Sequence, residues 1–283
     1  MPRLIIGSVR VQIGCDDERV AELIERRYAR MLDPNASRKP DVTAYIMSRG
    51  QSTGVIVGDE FVRPFDDETL KHGRPSVAAI EGRAMLAINA RLFRCRPEIV
   101  AFHAAAVAVG DHAAVVVGPT TSGKSTTALS LLVQDHANKP LSDEFALVNT
   151  ATGFVESFPR LFSIRAGTRK LLGLNALSLD WDAVDPEGII TTGWAEHARR
   201  ACYFFLVGRE RVASARPLRL SEAIFFAIGS CVASTLDSDH FRVVDHVIKG
   251  LSGARLYALT AGSPEDTADL IARTTHTADA AVA

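Results

Sequence analysis

The chain has 283 residues, enough for one large domain or two small ones at about 100–200 residues each. Its 47% hydrophobic and 23% charged residues, with 20 Gly and 12 Pro, exclude a collagen-like, disordered or disulfide-framework chain. Lys and Arg number 32 against 33 Asp and Glu, so the chain lacks the overall basic charge of a nucleic-acid or anionic-membrane binder.

Cys15, Cys95, Cys202 and Cys231 are scattered, with no C-x-x-C pair and no zinc-finger spacing. The opening Met1-Pro2-Arg3-Leu4-Ile5-Ile6-Gly7 lacks the apolar core of a secretory signal. Ile99–Gly118 is broken by His103, Asp111 and His112, too polar for a spanning helix. These features predict a cytoplasmic protein without nucleic-acid or membrane partners.

In chain order, strand-like runs are expected at Leu4–Ile13, Val42–Met47 and Gly54–Val62, the last folded at Gly58-Asp59 into a hairpin. Val20, Leu23, Ile24, Tyr28 and Met31 recur at helical spacing, predicting a helix over Asp17–Met31 capped by Asp16 or Asp17. A second, longer helix is expected to start with Pro75 in its first turn and to end before Pro97. Residues 1–98 carry no catalytic constellation and are expected to be an α+β support or substrate-docking region.

At Ile99 the texture changes. Val100–Val109 and Ala113–Val117 read as buried strands around a turn at Gly110-Asp111. Gly118-Pro119-Thr120-Thr121-Ser122-Gly123-Lys124-Ser125 follows, matching G-x-x-x-x-G-K-[ST] between a strand and a predicted helix over Ser125–Leu132. Average residue frequencies give about 0.01 chance matches in a chain of this length. In such a loop, backbone N–H groups from Gly118 through Thr120, Thr121, Ser122, Gly123 and Thr126 can wrap a phosphate. Lys124 can neutralise β- and γ-oxygens, and the Ser125 hydroxyl can ligate Mg²⁺. Asp143-Glu144 opens the apolar run Phe145–Val148, where a strand beside the loop strand would bring two carboxylates near the phosphates. Asn138-Lys139-Pro140-Leu141 starts like a guanine-reading motif, but Leu141 cannot accept the base's hydrogen bonds.

His103, 21 residues before Lys124, then the phosphate loop, then Asp143-Glu144 resemble in order the catalytic domain of the HPr kinase/phosphorylase family, whose loop is related to that of phosphoenolpyruvate carboxykinases. Glu144 stands where that family has a second Asp, and the glycine-containing segment that follows it there is not found here, marking a divergent member. The resemblance implies an α/β P-loop kinase domain of the HPr kinase type, with a mixed sheet, over 99–274, followed by a frayed tail at 275–283. It implies Asp143 as the base taking the acceptor's hydroxyl proton, with His103 hydrogen-bonded nearby. It also implies Glu144 joining Ser125 around Mg²⁺, ATP as donor, and homo-oligomers.

Arg160, Arg165, Arg169 and Lys170 form a basic group able to hold a phosphoryl group or an acidic acceptor, with a solvated surface as the plainer reading. Gly193, Trp194 and His197 fit either a lid or packing. Late strands are expected at Leu206-Val207 and Leu218–Leu220, with helices at Ser221–Val232 and Pro264–Thr274, the latter capped by Ser263. The expected activity is transfer of a γ-phosphoryl group from ATP to a hydroxyl, that of a Ser in a peptide or protein. The alternatives are a small-molecule kinase and a nucleotide-binding regulatory module without transfer.

Overall fold

The computed structural model describes residues 1–35, 37–49, 52–62, 75–174, 183–189, 193–232 and 240–277. These form a mixed α/β protein that divides into two compact units, Met1–Pro97 and Glu98–Ala283.

The first unit holds β1 (Arg3–Ile6), β2 (Val9–Cys15), α1 (Glu18–Arg27), β3 (Val42–Arg49), β4 (Ser52–Val57), β5 (Glu60–Val62) and α2 (Val77–Arg94). Its five-stranded sheet runs β1-β2-β3-β4-β5, with β2 and β3 parallel and the other neighbours antiparallel. The expected single run Leu4–Ile13 is a hairpin instead, because Gly7 at φ 62° reverses the chain. The helix expected through Met31 stops at Arg27 and continues as a 3₁₀ turn, Ala29–Met31. Ser76, not Pro75, opens α2: its side chain accepts the Ala79 N–H at 3.2 Å and leaves the proline outside the helix. A buried Arg27–Glu81 ion pair joins α1 to α2.

The second unit holds β6 (Ile99–Val109), β7 (His112–Val117), α3 (Lys124–Gln134), β8 (Lys139–Ser142), β9 (Phe145–Asn149), β10 (Phe154–Glu156), β11 (Phe162–Ser163), α4 (Ala166–Leu171), β12 (Ala183–Val184), β13 (His197–Arg209), β14 (Ser214–Pro217), α5 (Leu220–Ile228), α6 (His240–Leu251), β15 (Arg255–Ala261) and α7 (Pro264–His276). An eight-stranded mixed sheet runs β10-β9-β6-β7-β13-β15-β14, with β8 on β6. Because β10 also pairs with the start of β13, the strands β10, β9, β6, β7 and β13 close on themselves.

Strand alternation sends successive side chains to two cores. Val100, Phe102, Ala104, Tyr203 and Phe205 pack with Ala223 and Ala227 of α5 and Val247 and Leu251 of α6. Ala105, Val107, Val116 and Phe204 pack with Leu129 and Leu132 of α3 and Ile271 of α7. Buried on both faces, β6 and β7 read as nearly continuous apolar runs.

Several sequence expectations are corrected. Leu218–Leu220 is no strand: β14 ends at Pro217 and α5 begins at Leu220. The last helix passes Thr274 and reaches His276, with Thr275 fully buried, so the tail cannot start at 275; residues 278–283 lie outside the described ones. The strand carrying the carboxylates does not neighbour β7, because β8 and β9 pair with β6, which lies between. No helix among the described residues is long and apolar enough to cross a membrane.

Candidate functional site

β7 ends at Val117, and the next six residues, Gly118 to Gly123, turn into α3. Gly123, immediately before the helix, takes φ 110°, a conformation open to glycine, and Thr121 takes φ 72°. The Lys124 side chain folds back over the loop, where Nζ donates to the carbonyls of Gly118 at 2.9 Å and Pro119 at 3.2 Å. Burial holds the Lys124 ammonium below its ordinary pKa, and the Glu144 and Asp143 carboxylates oppose that shift. The first turn of α3 contributes free backbone N–H groups and a positive dipole end to the same place.

Antiparallel pairing brings the carboxylates here. Ala104 lies opposite Val117, the last residue of β7, which leaves His103 beside the start of the loop. On the other edge of β6, Ala106 pairs with Ser142 and His103 with Phe145, so Asp143-Glu144 is a bend that inserts no residue. The buried Ser142 hydroxyl accepts the Glu144 and Phe145 N–H groups at 3.2 and 3.0 Å and holds the bend.

Asp143 is 4% exposed. Its Oδ2 accepts the Ser163 N–H from β11 at 2.8 Å. Burial raises its pKa to about 7, although the nearby Ser125 hydroxyl and the Ser163 amide pull it down. Oδ1 has no hydrogen bond of ordinary geometry among the described residues. Glu144 is engaged differently: Oε2 accepts from Arg160 Nη1 at 3.1 Å, and Oε1 lies 3.5 Å from His103 Nδ1. Burial lowers the His103 pKa, and Glu144 opposes that shift.

These groups surround one cavity of about 430 Å³. His103, Lys124, Ser125, Asp143 and Glu144 all reach its wall, as do Thr120, Thr121, Gly123 and Thr126. Gly118 and Ser122 do not; Gly118 contributes its carbonyl to Lys124, and the Ser122 hydroxyl is buried without a partner among the described residues. Thr126 is tied to Thr168 of α4 by a 2.8 Å hydrogen bond, which fixes that short helix at the rim. Arg160 is buried, contrary to the solvated-surface expectation, because Glu144 and Ser163 Oγ receive its guanidinium. Arg165 lines the cavity, whereas Arg169 and Lys170 do not. Trp194 packs on Phe162 with ring centroids 6.0 Å apart, a packing role.

The sequence marks neither Ser142 nor Ser163, and it does not set Arg209, which also lines the cavity, apart from other arginines. Tertiary pairing delivers each of them, and no local motif marks them.

Ser125, Asp143 and Glu144 offer hard oxygen donors to this cavity, and Asp143 Oδ1 is buried there without a hydrogen bond of ordinary geometry among the described residues. This donor set fits Mg²⁺, which takes one or two carboxylates and leaves its other positions to phosphates and water. Among the described residues no three His, Cys, Asp or Glu side chains form a metal cage of their own. Arg160 already holds Glu144 Oε2, so direct ligation by Glu144 falls to Oε1. No protein-family model matches the chain, and no curated protein matches it.

Proposed function

We propose that this chain is an ATP-dependent phosphotransferase of the HPr kinase type, moving the γ-phosphoryl group to a hydroxyl, that of a Ser in a peptide or protein. The observation that carries this reading is one cavity in which the Lys124-Ser125 helix start faces the buried carboxylate of Asp143.

The loop amides and Lys124 hold the phosphates, displacing the loop's own carbonyls from the ammonium. Asp143 Oδ1 takes the proton of the acceptor hydroxyl as its oxygen bonds to the γ-phosphorus. The bond from that phosphorus to the β–γ bridging oxygen breaks, and ADP leaves. A carboxyl with a pKa near 7 is a far better base than one at its ordinary value. Arg160 pairs with Glu144 beside the site, and Ser163 fixes the Asp143 plane. Ser125 and Glu144 would hold Mg²⁺, which would neutralise charge on the phosphate oxygens and leave Asp143 Oδ1 for the acceptor's proton.

The test offers γ-labelled ATP and Mg²⁺ with a library of Ser, Thr and Tyr peptides and hydroxylated metabolites. Asp143→Ala is expected to keep nucleotide binding and lose transfer by about 100-fold or more. Lys124→Ala is expected to lose triphosphate affinity by calorimetry. Transfer at the wild-type rate in the first variant removes the base assignment. Unchanged affinity in the second removes the phosphate site, and nucleotide binding with no acceptor labelled supports a regulatory module.

A further inference from the structure

We propose that Arg209 is a nucleotide-binding residue that grips the inner phosphates, α and β, from the side of the loop opposite Asp143. The proposal rests on the phosphate-loop reading above and deepens it.

The placement begins with pairing. β13 runs parallel to β7, and Phe205 lies opposite Val117, so the following residues of β13 run alongside the Gly118–Ser125 loop. Tyr203 and Phe205 face α5 and α6, whereas Cys202 and Phe204 face α3 and α7. Unbroken alternation would put Arg209 on the α5 and α6 face, away from the helix that starts at Lys124. The pairing with β15 instead shifts by one residue: Leu206 lies opposite Leu259, Gly208 opposite Thr260 and Arg209 opposite Ala261. Val207 is the extra residue, and this bulge returns Arg209 to the face shared with Leu259, on the α3 side. The outcome is close approach: a Cβ built on Gly123 would lie 2.7 Å from Arg209 Nη2.

Electrostatics points to an anion. Arg209 is exposed, and its side chain makes no hydrogen bond or ion pair among the described residues. Its guanidinium sits against the N-terminus of α3, the positive end of that helix, close to Lys124. A cation in that position is repelled unless an anion lies between the two, and a guanidinium matches phosphate oxygens with paired N–H donors.

Strand order settles which phosphates. His103 and the carboxylates come from β6 and the β8–β9 bend on one side of β7, and Arg209 comes from β13 on the other. A phosphate chain with its transferable end at Asp143 therefore has its inner phosphates toward Arg209.

The test is calorimetry of wild type, Arg209→Ala and Lys124→Ala with Mg²⁺ and ATP, ADP or inorganic tripolyphosphate. Arg209→Ala is expected to weaken all three by about 10- to 100-fold, the effect of a lost charged hydrogen bond. Unchanged affinities in Arg209→Ala, with Lys124→Ala impaired, overturn the proposal and leave the phosphate site standing. Loss confined to ATP overturns it in favour of a γ-phosphate contact. Loss for the nucleotides but not for tripolyphosphate overturns it in favour of base stacking. Failure of wild type to bind any of the three removes the underlying reading as well.

Discussion

Asp143 and Glu144 are adjacent in sequence and opposite in setting. Asp143 is 4% exposed with one backbone donor on Oδ2, whereas Glu144 faces the Arg160 guanidinium and His103. The Asp143 pKa rises from an ordinary 3.8 to about 7, so between those pH values the folded protein keeps a proton that the unfolded chain has released. Stability contributed by this group is therefore full below pH 3.8, falls as pH rises to about 7, and stays low above. Asp143→Asn removes the ionisation. In the absence of nucleotide and divalent cation, the variant is expected to melt above wild type by several degrees at pH 8 and to match it near pH 4, while losing transfer. Equal melting temperatures at pH 8 would show that the buried charge is not the cost argued here. Keeping a carboxyl buried at this position thus costs stability above pH 7.

At the scale of elements, two small irregularities aim the site. One is the bend at Asp143-Glu144, held by Ser142; the other is the bulge at Val207. Ser142→Ala strips the acceptor from two backbone N–H groups at a fully buried position. It is expected to cost about 1–3 kcal/mol in urea unfolding and to lower the transfer rate as the carboxylates lose their orientation. An unchanged denaturation midpoint would mean that the bend holds without the hydroxyl.

These irregularities also mark how far the sequence could be read. The strand, glycine-rich loop and helix were legible because a loop that wraps an anion needs contiguous backbone N–H groups, and its residues stay together in the chain. The alternating and continuous apolar runs at Ile99–Val117 were legible for the same local reason. Ser163 meeting Asp143, and Arg209 meeting Gly123, depend on pairings between distant segments. A single extra residue such as Val207 leaves no compositional trace. Leu218–Leu220 misled because its two leucines flank Arg219, a short alternation that a strand end and a helix start share.

For the whole molecule, the second unit layers α3 and α7 on one face of its sheet and α5 and α6 on the other. That leaves the ends of the strands as the place where loops can gather side chains around a ligand. The sheet is not open along its whole length. β10 pairs with β9 nearby in the chain and also with residues of β13 that lie 41 to 45 positions later. Between those two pairings run β11, with the Ser163 donor to Asp143, and α4, with the Thr168 tie to Thr126. Closing so long a segment loses chain entropy before any contact rewards it, so this closure belongs late in folding. On dilution from urea, far-UV circular dichroism should recover before ATP affinity does, whereas simultaneous recovery in one exponential would refute this order. A nascent or partly unfolded chain would then have its sheet before the cavity around Lys124 and Asp143, and under the proposed function could not consume ATP until its last long-range pairing had formed.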